Sequence, residues 1–150
     1  TDKSQIGHDR VMAMLGAYEV GLSYCVIDAG TAVTADYVEL GVHRGGYVTL
    51  GLDLSRKALK AHTARIKSND SPLYSAKLEP GVTTYYALEH GLRLSLTAFC
   101  QRVIDQSPIR LDSVFLTGGD SVWLMGHLRG PIQLRDDLVF EGINRYFENL

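Results

Sequence analysis

Apolar positions recur at helical spacing over residues 9–20, where Val11, Met14, Leu15 and Tyr18 form one stripe. Asp9 stands where an N-cap belongs, and Gly21 is a stop signal. The period then shortens. Residues 23–28, 31–39 and 42–50 are β-prone runs separated by Ala29-Gly30 and Gly41, the third interrupted by Gly45-Gly46. Tight turns between them predict an antiparallel meander. Helical spacing returns at 52–64, with Leu54, Ala58, Leu59 and His62 on one side. A polar stretch with Pro72, Pro80 and Gly81 reads as loop over 67–81. A long helix over 84–104 follows, with a spine of Leu88, Leu92, Leu96, Phe99 and Val103, and Pro108 beyond its end. The remainder reads as a strand at 111–117, a short helix at 121–128, a short strand at 131–134 and a closing helix at 138–149.

Helix, three antiparallel strands, then alternating helix and strand is the order of a mixed α/β sheet with helices on its faces. It is the order of a ribonuclease-H-like domain, a unit that comes paired in the actin-like and sugar-kinase ATPases. Fold alone does not give function.

Composition narrows the classes. The 150 residues suit one domain, and 45% apolar content is enough for a core. A net charge of −2 argues against a nucleic-acid-binding surface. No apolar run approaches the ~20 residues of a membrane helix. Cys25 and Cys100 sit in apolar runs without metal-type spacing, as buried free thiols do, and suggest a reducing, cytoplasmic setting. The first residues lack a Met and read as an internal cut.

Four stretches carry candidate chemistry. In Asp28-Ala29-Gly30-Thr31-Ala32, continuing to Asp36, a carboxylate ends one strand and a Gly-Thr turn opens the next. Glycine lets backbone N–H groups approach an anion, Thr31 adds a hydroxyl, and Asp28 and Asp36 can hold cations or water. An ordinary Asp/Gly hairpin turn has the same residues. Gly7-His8-Asp9-Arg10 is either a capped helix start with a solvated Arg, or a general base beside an anion-binding guanidinium. Gly118-Gly119-Asp120 follows an apolar strand and either admits a flat ligand or caps the next helix. Gly41-Val42-His43-Arg44-Gly45-Gly46 marks a bulge or bend, with no catalytic role for His43. The basic run Arg56, Lys57, Lys60, Arg65 and Lys67 reads as a solvated helix face, and Tyr85, Tyr86 and Trp123 as core or interface.

Together these stretches resemble, in order and spacing, the type III pantothenate kinases. Gly7 to Arg10 resembles that family's Gly-x-Asp-Arg motif, and Asp28 to Ala32 its second phosphate motif, Asp-x-Gly-Thr-Ala. Gly41, His43, Gly45 and Gly46 resemble the glycine-rich strand that follows. Thr84-Tyr85-Tyr86-Ala87 with Gly91 resembles the Thr-x-x-Ala helix start, and Gly118-Gly119-Asp120 the adenosine-side motif. The family's first phosphate motif, a glycine-rich loop near the N-terminus, has no counterpart here, and Leu50 stands before Gly51 where the family usually has Pro.

The resemblance implies ATP-dependent phosphorylation of pantothenate, the first step of coenzyme A biosynthesis. It implies Asp9 as proton acceptor, a pantothenate site lined by Gly7, His8, Asp9 and Arg10, and a contact from Thr84 across a homodimer interface. Gly30, Thr31, Gly118, Gly119 and Asp120 would meet ATP, with Mg2+, and Asp28 would bind a monovalent cation, K+ or NH4+. On this reading residues 1–150 are the C-terminal ribonuclease-H-like half of a two-domain kinase and weak or inactive alone. The competing readings are a non-catalytic regulatory accessory factor that binds a nucleotide or a partner, and a kinase for another acceptor on the same scaffold.

Overall fold

The computed structural model describes residues 6–62 and 78–148. In chain order the elements are α1 (His8–Gly16), β1 (Ser23–Ala29), β2 (Ala32–Glu39), β3 (Val42–Leu50), α2 (Leu52–His62), α3 (Thr84–Asp105), β4 (Ser113–Thr117), α4 (Ser121–Met125), β5 (Ile132–Leu134) and α5 (Leu138–Glu148). The sheet runs β3-β2-β1-β4-β5. β2 is antiparallel to both β1 and β3, whereas β4 is parallel to β1 and β5 to β4. This is the ribonuclease-H-like arrangement that the element order predicts. The expected loop at 67–81 lies outside the described residues as far as residue 77.

Side-chain alternation along the central strands sorts the core into two layers. Tyr24, Val26, Val38 and Phe115 meet Ala13, Met14 and Ala17 of α1 and Leu138 of α5. Cys25, Ile27, Ala29, Val33, Ala35, Val114 and Leu116 meet Leu96, Cys100 and Val103 of α3 and Leu124 of α4 on the other face. Both cysteines are free and buried, and burial pushes the Cys100 thiol up to about 12.

The hairpin between β2 and β3 turns on Leu40 and Gly41, both at positive φ (49° and 82°). Two such residues match the right-handed twist of the flanking strands. The pairing shifts by one residue between Tyr37 and Val38, so Val38 faces His43 and Arg44 is left over as a bulge.

Two expectations about α1 fail. It stops at Gly16 rather than at residue 20, and its N-cap is Gly7, with no side-chain cap. Asp9 lies inside the first turn, where its Oδ1 accepts the backbone N–H of Arg10 at 2.9 Å. Of the expected stripe only Met14 is buried. Val11 and Tyr18 are exposed, while Ala13, Gly16 and Ala17 are buried. The cause is the close approach of α5: a Cβ on Gly16 would strike the Leu138 carbonyl, and one on Gly142 would strike the Met12 carbonyl. Small residues let the two backbones touch and leave the bulky positions outside. Gly142→Ala is expected to cost about 1–3 kcal/mol, the usual penalty for overpacking a site that cannot relax. A denaturant titration against the parent protein measures it.

α2 likewise leaves Leu54 and Leu59 exposed and buries only Leu52. On α3 the spine residues Leu96 and Val103 are buried, and the same helix buries Glu89, His90, Arg93 and Thr97.

Candidate active site

β1 and β4 run parallel, with Asp28 level with Thr117. The strand order β3-β2-β1-β4-β5 also reverses direction between β1 and β4. In open α/β sheets, ligands bind beyond the carboxyl ends of the strands at such a point. Two of the sequence motifs meet there. The Asp120 N–H donates to the Ala29 carbonyl at 3.0 Å. Gly118, at φ +92°, lies so close that a Cβ would come within 2.6 Å of Ala29 and 2.5 Å of Asp28 Oδ1. Gly118 is therefore required twice, by its left-handed backbone and by contact with the neighbouring strand end. Asp120 occupies the N-cap position of α4 without a side-chain cap bond.

The Gly30-Thr31 turn closes through Gly30 N–H to the Ala32 carbonyl at 3.2 Å. From the far side, the Gly51 N–H donates to the Thr31 carbonyl at 2.9 Å. Gly51 packs on this turn so tightly that a Cβ would strike the Gly30 and Thr31 carbonyls. Leu50, the departure from the family pattern, remains in β3 opposite Ala32 with an exposed side chain. The turn thus rests on Gly51, a residue the sequence reading passed over in favour of its neighbour. Thr31 is exposed, as a ligand-contacting hydroxyl needs to be.

Asp28 points to the α1 face of the sheet, like Val26 two residues before it. Burial, and secondarily the charge of Asp9, pushes its carboxyl above the usual carboxylate range. Gly7, His8 and Asp9 are exposed at the start of α1, on the same face. Arg10 is not the free anion-binding fork of the sequence reading. Its Nε and Nη2 donate to the two oxygens of Asp36 at 2.9 and 2.6 Å. Asp36, a cation or water ligand on the sequence reading, is buried and also meets His43 Nε2 at 2.8 Å.

Thr84 is not brought to this group. It is exposed on the first turn of α3, next to the N-cap Thr83, whose hydroxyl accepts the Tyr86 N–H at 3.2 Å. α3 packs on the sheet face opposite α1.

A second charged group was missed. Arg56, read as part of a solvated basic face, is turned inward onto Glu89 through Nε (2.5 Å) and Nη2 (2.9 Å). Arg93 Nη1 meets the same carboxylate at 2.8 Å, and its guanidinium lies 5.9 Å over the Trp123 ring. Lys57 does stay exposed, paired with Asp53, while Arg65 and Lys67 lie outside the described residues. The group adjoins the Gly118-Gly119-Asp120 loop: burial raises the Asp120 carboxyl, and the charges of Arg56 and Arg93 draw it back. In the sequence Glu89 and Arg93 stand four residues apart, as an ordinary surface pair would, so no local signal marked the group.

Strand order, the paired strand ends and the glycine-lined turn are those of a ribonuclease-H-like α/β domain. Comparison with known proteins gives the family. Residues 1–106 match the family model described as type III pantothenate kinase. The type III pantothenate kinase of Ectopseudomonas mendocina is 41% identical over 95% of this chain and 60% of its own length. That of Psychrobacter arcticus is 34% identical over 97% of this chain and 58% of its own. The chain belongs to the type III pantothenate kinase family, and it spans about 60% of the length of these curated relatives. Among solved structures, a conserved Baf family transcriptional activator from Campylobacter jejuni superposes with a TM-score of 0.69 at 22% identity, covering 99% of this chain and 67% of that one. The Alp12 filament structure gives 0.62 at 11% identity, covering 92% and 51%. At those identities both likenesses bear on the fold alone. Among the described residues, no helix is long and apolar enough to cross a membrane.

Proposed function

We propose that the complete polypeptide carrying this segment transfers the γ-phosphoryl group of ATP to the hydroxyl of pantothenate, and that residues 1–150 form the C-terminal half of the enzyme. The observation that carries this reading, beside the family match, is the junction of the Asp28-Gly30-Thr31 turn with the Gly118-Gly119-Asp120 loop, beside an exposed Asp9. Phosphoryl transfer needs positioning and charge stabilisation more than covalent chemistry. Gly30 and Thr31 would meet the ATP phosphates, and Gly118, Gly119 and Asp120 the adenosine side. Mg2+ bound with ATP would neutralise charge developing on the phosphates. Asp9 would accept the proton of the pantothenate hydroxyl as its oxygen attacks the γ-phosphorus and ADP departs. Gly7, His8 and Arg10 would line the acceptor pocket.

Thr84 belongs to the far face of the sheet, so its contact with pantothenate would come from the second subunit of a homodimer. The rest of the phosphate cradle would come from the part of the relatives that this chain does not span.

The surroundings of Asp28 fit a monovalent cation. Its carboxylate is partly buried, feels the like charge of Asp9, and meets no hydrogen-bond donor or cationic side chain among the described residues. Because its pKa is raised, acidification neutralises Asp28 earlier than an ordinary carboxylate. The potassium concentration that half-activates the enzyme is therefore expected to rise as pH falls towards the carboxylate range, and Asp28→Asn to lose the cation dependence. Potassium titrations across pH check both.

Acceptor specificity tests the substrate. Pantothenate is expected to be phosphorylated in preference to sugars and short carboxylic acids. Preference for one of those would move the assignment to another kinase on this scaffold.

A further inference from the structure

The Arg10–Asp36–His43 group lies outside every role assigned above to a reacting group, yet it is built with care. Asp36 is 2% exposed in the middle of β2. Three elements converge on it. Arg10 of α1 closes a two-point fork on both carboxylate oxygens, the geometry that fixes a guanidinium in direction as well as distance. His43 of β3 adds a third contact at 2.8 Å. It can do so only because the bulge at Arg44 shifts the register of β3 and brings His43 to the face that Asp36 occupies. Gly46, directly opposite Asp36 in the ladder, keeps that face open, since a Cβ there would stand 2.5 Å from Asp36 Oδ1.

The other end of the fork is what matters for chemistry. Arg10 follows Asp9 directly, in the same first turn of α1. That turn has no side-chain cap. The rest of α1 is fastened further along: the Met14 carbonyl accepts the Tyr24 hydroxyl at 2.8 Å, and Gly16 touches α5. Among the described side chains, the Arg10–Asp36 fork is the polar tie between the sheet and the turn that bears Asp9.

We propose that Asp36 is a positioning residue: through Arg10 it sets where the carboxylate of Asp9 stands over the end of β1, with His43 steadying Asp36 from β3. The inference rests on the reading of Asp9 as proton acceptor. It also revises the role of Arg10, whose Nε and Nη2 are engaged within the chain, leaving Nη1 to face a substrate.

Two conservative variants of the complete polypeptide test it. Asp36→Asn removes the charge at constant shape. Arg10→Lys keeps the charge and the ion pair but loses the fork. A misplacement of about 1 Å at a reacting group costs about 10²-fold in rate. Both variants are expected to lose about 10- to 10²-fold in kcat, with KM for ATP within about twofold of the parent. A merely structural pair would lower the melting temperature and leave kcat per folded molecule unchanged. Arg10→Lys at parental kcat overturns the proposal, as does folded Asp36→Asn at parental kcat; should Asp36→Asn fail to fold, Arg10→Lys decides alone. Asp9→Asn, assayed in parallel, separates the two ideas. If it keeps turnover, the base reading itself is lost. If it is inactive while Arg10→Lys is fully active, only the positioning role of Asp36 is lost.

Discussion

Asp9→Asn is expected to lower kcat of the complete polypeptide by about 10²- to 10⁴-fold, the range that a positioned general base contributes. The substitution keeps the shape of the side chain and removes its capacity to take up a proton. Asp9 is exposed, and its Oδ1 accepts a local bond from the N–H of its neighbour Arg10. An Asn oxygen can accept that same bond, so stability should change little. KM for ATP should also stay close to the parent value, because the turn proposed to meet the phosphates joins β1 and β2 and is not part of α1. Steady-state kinetics with each substrate varied, together with a thermal melt, reads all three quantities.

Glu89→Ala should be the most damaging single change to stability, at about 3–5 kcal/mol. Glu89 is 1% exposed and holds both Arg56 and Arg93. Its removal takes away the carboxylate that both guanidinium groups share; Arg56 keeps Asp53 at 3.3 Å, but Arg93 is itself buried. The pH dependence has a defined sign. Burial alone would raise the Glu89 carboxyl, but hydrogen bonds from Arg56 and Arg93 bring it below the usual carboxylate range. A carboxyl whose pKa is lower folded than unfolded stabilises fully above its unfolded value, about 4.3. That contribution disappears as pH falls through the folded value. The stability gap between parent and Glu89→Ala should therefore be widest near neutrality and narrow in acid, as denaturant titrations at several pH values would record.

These two residues also show what was legible in the sequence. Asp9 and the other motif residues stand in contiguous stretches, so their order along the chain was enough to find them. The β2–β3 hairpin was equally legible, because Gly41 and the β-prone runs on either side are local signals. The junction between Asp28 and Gly118 was not. It depends on β1 and β4 lying side by side, a pairing across some 90 residues that no local pattern encodes. Glu89 was hidden for a similar reason: its partner Arg56 lies 33 residues away on α2, and within the α3 sequence alone an acid near Arg93 looks like an ordinary surface pair.

α1 misled in a different way. Hydrophobic periodicity assumes that the largest apolar residues face the core, and Val11 and Tyr18 do not. Where helices touch through Gly16 and Gly142, closeness of the backbones decides the buried face, and small residues win. Arg10 was read either as solvated or as a fork for a substrate anion; its fork is instead closed on a carboxylate from β2 of the same chain. A sequence shows which groups can pair. It does not show that Asp36 reaches Arg10 before any substrate does.

The most direct test is ATP consumption by the complete, folded polypeptide with Mg2+ and potassium present, measured with and without pantothenate. The account predicts ADP formation that depends on pantothenate, together with a phosphorylated pantothenate product. A folded protein that binds nucleotide yet consumes no ATP when pantothenate is added would contradict it, and would assign the same pocket to a regulatory binder.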